Sequence, residues 1–507
     1  MTSTQMRMVF FQNSLCLRLI TGILVLLGVV AFSPEIRAQS QVPEGPSPLL
    51  PVNYVGTAAP SEWDSELQQF NSSEFDSGNI AWMMASGIAC LFLLTPGLLL
   101  FYCGLLKTRG VATVMIRYLG VVAVLSMAWV LWIYCLGFSR NSNSHDVLDS
   151  ERITATAVGR NPMNRILGNS SNLGFGGLDS QLKNDRPTYP LRRPDEKIPH
   201  LLFMLCQLLF FTSVPVPLLV ALHGRITWAP LAAGAVLWGT LVYAPTVYFV
   251  WGSGSLGTVL DSAGALPAHV SLGFSALVAA IFMSRAPRCE DGTESSRRTV
   301  LLGLGVVFFW SGSLFWNASR SMTVDGYAMN AFVVTHFAAC GGLIGWCGAD
   351  WMIRGKLGLV SLCIGPFVGL VSIASGSSYV APQSAILIGL LSSAIACLAY
   401  TSVKKRFPRN SMAIVCVLHV VGGVLGIMLT GVFATASVAG LDRSGNPIGG
   451  LVEGDLTRPF NQALAAFFAA GLAVFGTLAI VLIFLFINSV RRKVSAHSAD
   501  AAPMIRH

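Results

Sequence analysis

Two segments, AHVSLGFSAL (residues 268–277) and LHVVGGVLGI (residues 418–427), carry the same pattern, His-Val-x-x-Gly, inside uncharged apolar runs. An imidazole within a lipid-crossing segment is costly and ordinarily faces the bundle interior or a cavity. A lone His of this kind reads as a packing residue bonded to a neighbouring helix. Two at matched positions read as one shared site, contributed by His269 and His419.

Outward from this pair the chain is apolar nearly throughout. Of 507 residues 11% are charged, where soluble domains carry about 25%, and the mean hydropathy is +0.63. That balance excludes a string of soluble domains, a disordered chain, a collagen and a coiled coil. Eleven apolar segments lie near 80–101, 111–138, 201–222, 228–251, 265–283, 300–316, 328–346, 357–374, 381–399, 413–435 and 463–487. Each can cross about 30 Å of hydrocarbon as a helix. The expected fold is therefore an all-α integral membrane protein with eleven transmembrane helices. His269 falls on the fifth and His419 on the tenth, so the chain divides as five plus five plus one. Because five is odd, the halves insert in opposite senses, an inverted repeat with its substrate path at their interface.

The net charge of +9 reports membrane orientation, not nucleic-acid binding. Lys and Arg cluster in alternate connections, at Lys107 and Arg109, Arg225, Arg285 and Arg288, Arg297 and Arg298, Arg354 and Lys356, Lys404 to Arg406, and Arg491 to Lys493. The opposite short connections hold Arg320, Arg443 and Arg458. The positive-inside rule then puts the mature N-terminus outside and the C-terminus in the cytoplasm. Residues 1–38 resemble a secretory signal, 39–78 form a polar external arm, 79–490 the membrane domain with a long external loop at 139–200, and 491–507 a short tail. The eleven cysteines lack CxxC or metal spacing and read as small buried hydrophobes.

No GxSxG, HExxH or Walker motif is present, and two histidines lack the further ligands of a metal site. Neither an enzyme nor a cofactor is expected, and a His-based membrane metalloenzyme is the weakest reading. Asp261, in LDSAGALPAH, either attracts a cation or orders the start of the fifth span by accepting backbone N–H groups. The Gly- and Pro-punctuated AGALP favours ordering. Trp251 closes the fourth span as a belt residue or as a cation–π platform. By themselves Phe210 and Trp316 read as packing residues, as does His336, while His200 and His223 sit at span ends.

Taken together and in order, TPGLLLFYCGLLKTRGV (95–111), MAWVLWIYCLGF (127–138), ALHGRITWAPL (221–231), LDSAGALPAHVSLGFSALVAA (260–280), AFVVTHFAA (331–339) and LHVVGGVLGIMLTGVFA (418–434) resemble the Amt/Mep/Rh ammonium transporter family, its Amt branch above all. The resemblance implies an eleven-helix protomer of a homotrimer in the plasma (inner) membrane, each protomer with its own narrow pore for ammonium/ammonia. It implies that His269 and His419 are the twin pore histidines, Trp251 the aromatic of the outer ammonium site, Phe210 the first gate ring, Gln207 the glutamine one turn before it, and Asp261 the acid supporting that site.

The chain also departs from the family pattern. Trp316 stands where a second gate phenylalanine is expected, and Ser319 is followed by Arg320. That fixed charge either repels ammonium or snorkels outward to the interface. Ile414 replaces an aspartate before His419, Val420 a glycine after it, and Gly224 a glutamate beside Arg225. The tail lacks the Gly- and Asp-containing motif, so docking of a P-II signalling protein is not expected. Arg320 and Ile414 motivate the rival reading, a non-transporting ammonium sensor or structural trimer subunit.

Overall fold

A computed structural model describes residues 69–70, 75–108, 110–138, 168, 170–183, 186–192, 196–252, 254, 256, 258–282, 296–408, 410–442 and 445–501. The expected signal at 1–38, most of the arm at 39–78, much of the loop at 139–200 and the end of the tail lie outside these residues. Among the described residues ten helices are long and apolar enough to cross a membrane, and Leu359–Ile373 adds a shorter apolar one. In chain order they are α1 (Ser77–Leu105), α2 (Val111–Phe138), α3 (His200–Leu222), α4 (Trp228–Val250), α5 (Ala265–Phe282), α6 (Ser296–Ser321), α7 (Gly326–Arg354), α8 (Leu359–Ile373), α9 (Pro382–Arg406), α10 (Ser411–Phe433) and α11 (Thr457–Ala501). The expected eleven segments are all helical. The last runs beyond its expected end near 487 and takes residues 491–501 of the expected tail into α11.

Three short strands, β1 (Gln69–Phe70), β2 (Gln181–Lys183) and β3 (Arg186–Pro190), form an antiparallel sheet in the order β1–β3–β2. Gln69 pairs with Pro190 and Gln181 with Thr188. Strands β2 and β3 lie on the connection between α2 and α3, and β1, from the segment before α1, pairs onto β3.

Several helices are locally over-wide, for a reason visible in the sequence. In α1 the turn Cys90–Leu94 is a π-turn directly before Pro96, and in α4 Gly239–Tyr243 precedes Pro245 in the same way. A proline removes a donor and its ring crowds the preceding turn, so the ladder slips by one residue. The Cys90 carbonyl accepts twice from Thr95, from its backbone N–H and, at 3.0 Å, from its hydroxyl, which pins the widened turn.

Lipid supplies no hydrophobic drive between helices, so they associate by close van der Waals approach at small residues. The crossing of α7 with α9 is of this kind. A Cβ added at Gly389 would lie 2.0 Å from the Ala338 carbonyl, at Gly341 2.3 Å from that of Ile386, and at Gly345 2.1 Å from that of Leu390. Gly471, by contrast, has open space at the same point. Gly389→Val should therefore cost about 1–3 kcal/mol or more through overpacking, lowering the melting temperature of the detergent-solubilised protein, while Gly471→Val leaves it nearly unchanged. Equal melting of the two variants would contradict this packing.

Candidate pore and its aromatic mouth

The two repeated motifs meet as a reciprocal crossing of α5 and α10. A Cβ at Gly273, four residues after His269, would lie 2.7 Å from Cγ2 of Val420 and 3.2 Å from the backbone of His419. A Cβ at Gly423, four residues after His419, would lie 3.1 Å from Cβ of His269 and 3.2 Å from Val270. Each glycine vacates the space that the other motif's His-Val fills. This also explains how Val420 is tolerated beside His419: it packs over Gly273.

At this crossing the ring nitrogens Nδ1 of His269 and Nδ1 of His419 stand 3.1 Å apart, with ring centroids 5.2 Å apart. On its far side, Nε2 of His419 is 2.8 Å from the hydroxyl of Tyr102. A neutral imidazole carries one N–H. If Tyr102 donates to Nε2, His419 carries its proton on Nδ1 and directs it at His269; if Nε2 donates to Tyr102, Nδ1 of His419 accepts from His269 instead. Phe367 packs edge-on against both Tyr102 and His419.

In the other direction a narrow cavity, lined by Leu94, Leu98, Leu272, Phe309 and Ser313 among others, leads to Phe210 and Trp316. It is largely apolar. Phe210 and Trp316 stack face to face, centroids 3.9 Å apart and planes within 3°, and Nε1 of Trp316 donates to the Ala263 carbonyl at 2.9 Å. Both rings form part of the cavity lining.

Beyond the stack, the connection from α4 to α5 folds inward and is pinned from several sides. Asp261 Oδ1 accepts from the backbone N–H of Gly264 at 3.0 Å and of Ala265 at 2.7 Å, and Oδ2 from Leu266 at 2.8 Å. The carboxylate thus satisfies orphan donors at the start of α5, the ordering role the sequence favours. Burial pushes its carboxyl up to about 6, while the backbone donors of Leu266, Ala265 and Gly264 and the charge of Arg320 pull it down. Gly264, at φ 96°, takes a conformation that side chains resist, and a Cβ there would also strike Trp251 at 2.8 Å. Backbone bonds from Ser262 and Ala263 to Ser375 and Ala374 tie the connection to the turn after α8. From α11, the side chain of Gln462 brackets Leu260, accepting from its N–H at 2.9 Å and donating to its carbonyl at 2.8 Å.

Trp251 donates from Nε1 to the Asp261 carbonyl at 2.8 Å, which fixes the ring. Over its face lies the guanidinium of Arg320, 4.3 Å from the ring centroid and 5.1 Å from that of Trp316. Nε of Arg320 donates to the Ser262 carbonyl at 2.9 Å. This corrects one expectation: Arg320 does not snorkel outward. Two indole faces and a carbonyl offer it partners on the inner side, and the turn at Met322, with φ 63°, ends α6 at that level. Gln207 is buried, with neither amide atom hydrogen-bonded.

The remaining candidates divide as follows. Ile414 is half-buried against the core, His336 packs against Trp310 away from the pore, and His200 is bonded to Tyr134. No group of three or more His, Cys, Asp or Glu that could hold a metal occurs among the described residues. Sequence reasoning missed Tyr102 and Gln462. Gln462 was open to the rule that found the histidines, a polar side chain in an apolar span; Tyr102 had no such signal.

Paired imidazoles in a dry lumen behind an aromatic stack, built from two inverted halves, now have a match among known proteins. Residues 81–501 match the Ammonium Transporter Family. The chain belongs to that family. The ammonium transporter of Bacillus subtilis (strain 168) is 32% identical over 380 residues, 74% of this chain and 84% of that protein. Ammonium transporter 1 of Schizosaccharomyces pombe is 30% identical over 388 residues, 75% of this chain and 70% of that one. The crystal structure of Saccharomyces cerevisiae Mep2 superposes with a TM-score of 0.68 at 26% identity, over 81% of this chain and 86% of that chain.

Asp261→Asn tests the mouth. An amide has one acceptor oxygen and cannot take all three N–H groups, so the variant should lose about 1.5–3 kcal/mol and melt at a lower temperature. A melting temperature equal to the parent's would remove the ordering role.

Proposed function

We propose that this chain is a channel-like transporter of ammonium/ammonia in the plasma membrane, working as a homotrimer with one pore per protomer, its mature N-terminus outside and its C-terminus in the cytoplasm. The observation that carries the reading is the facing of His269 and His419 at 3.1 Å inside an apolar lumen. In this reading Trp251 receives the cation on its ring face. A bare cation cannot cheaply follow the dry path, since a charge at mid-membrane costs at least about 2.5–3.5 kcal/mol on insertion scales. Ammonium therefore parts from its proton near the Phe210–Trp316 stack, and the neutral base crosses the apolar section. His269 and His419 can carry a proton across their shared Nδ1–Nδ1 contact, because each imidazole accepts on one nitrogen and donates from the other. Potassium has no proton to give up and is rejected on the same grounds. Gln207, one turn before Phe210 on α3 and with both amide atoms buried and unpaired, offers donors and acceptors to the shed proton's water or to the substrate.

The lipid bilayer is the implied partner, and the trimer is part of the same proposal. The transporter reading is favoured over a sensor or purely structural subunit by the intact pair of histidines, because a scaffold has no need of two buried imidazoles in contact.

In proteoliposomes, an ammonium gradient should drive a flux that His269→Ala and His419→Ala each reduce by about a hundredfold, the low end of what a positioned proton-transfer group contributes. A potassium gradient of equal size should drive none. Undiminished ammonium flux in both variants would sink the relay.

A further inference from the structure

The outer mouth already holds a cation. We propose that Arg320 is a tethered competitor of ammonium: its guanidinium rests on the ring face of Trp251, and an incoming cation binds there only as Arg320 leaves. The inference rests on the transport reading above and adds to it a residue that sets substrate affinity.

Three observations support it. The guanidinium carbon lies 4.3 Å from the Trp251 centroid and 5.1 Å from that of Trp316, the distances at which an aromatic face binds a cation. Trp251 cannot turn another face to the mouth, because Nε1 is bonded to the Asp261 carbonyl. Arg320 is also held only loosely. Its Nε donates to Ser262, Nη1 is buried without a partner, and Asp261, the nearby carboxylate, commits both oxygens to the backbone of Gly264, Ala265 and Leu266. A guanidinium with an unsatisfied buried donor and no fork-to-fork carboxylate gives up one hydrogen bond and its ring contacts on swinging out, and a cation arriving on Trp251 replaces the ring contact. Arg320 is thus suited to yield its place, not to plug the mouth permanently.

Two unit charges about 4 Å apart repel strongly enough, even in water, to weaken binding about fivefold, and more in less polar surroundings. Joint occupancy of the ring is therefore disfavoured. When only the fraction of molecules with Arg320 displaced can bind, the apparent dissociation constant rises by the inverse of that fraction. The expected signature is a change in half-saturation, with rates converging at high ammonium.

The test uses full-length protein in proteoliposomes, with currents evoked by ammonium chloride jumps against sodium chloride controls, for the parent, Arg320→Ser and Arg320→Lys. Ammonium-dependent thermal stabilisation of the same proteins in detergent supplies an independent readout. The proposal expects half-saturating ammonium in Arg320→Ser to fall at least about fivefold, with Arg320→Lys between serine and parent, since lysine keeps the charge and loses the planar stack. Unchanged half-saturation overturns it. So does a parent that is silent at every concentration beside a conducting Arg320→Ser, which would make Arg320 a plug. Should neither protein conduct, the transport reading fails by itself, and stabilisation decides the competitor: saturable stabilisation at lower ammonium in Arg320→Ser upholds it, and equal stabilisation overturns it.

Discussion

The structure depends on the close crossing of α5 and α10, where two glycines and two histidines exchange places. Gly273 leaves room for His419 and Val420, and Gly423 leaves room for His269 and Val270. Without that mutual vacancy the backbones could not approach, and the two Nδ1 atoms could not stand 3.1 Å apart. The rest of the bundle keeps this crossing in place, by carbonyl-to-glycine packing of α7 on α9 and by close packing at small residues where lipid supplies no other attraction.

From that centre the site is built outward in layers. The apolar section is walled by tightly packed side chains. The aromatic stack beyond it is anchored by single bonds, such as Trp316 to Ala263. The mouth consists of a backbone connection gathered around one carboxylate, with Gln462 reaching in from α11. At its outermost point sits a long side chain, Arg320, held by one carbonyl and two ring faces. Toward one end of the cavity lies the Phe210–Trp316 stack, and on the far side of the histidine pair the Tyr102–His419 bond.

Much of this was legible in the sequence, and the exceptions have physical reasons. The number of crossings and their alternation follow from the hydrocarbon thickness, which any apolar run must match, and the contact of His269 with His419 from the expense of imidazoles in lipid. The ordering role of Asp261 could be read because AGALP has turn chemistry that needs a nearby acceptor. Tyr102 could not be found, because a tyrosine in an apolar helix satisfies its hydroxyl in many ways and nothing local selects His419. The direction of Arg320 was equally hidden: outward snorkelling and inward stacking differ only in side-chain torsions, and the choice rests on the Ser262 carbonyl and the faces of Trp251 and Trp316, which come from distant parts of the chain.

By itself, then, the sequence determined a lipid-embedded helical bundle in two opposed halves and the identity of the two residues at their seam, because segment length, charge alternation and polar burial are properties of single helices in a membrane. Tertiary structure alone decided which ring faces meet, that Trp316 lies flat on Phe210, that Tyr102 caps His419 and that Arg320 turns onto Trp251. These depend on how helices rotate about their axes and on which rotamer each neighbour leaves free, quantities set by packing across the whole bundle and encoded in no single stretch of chain.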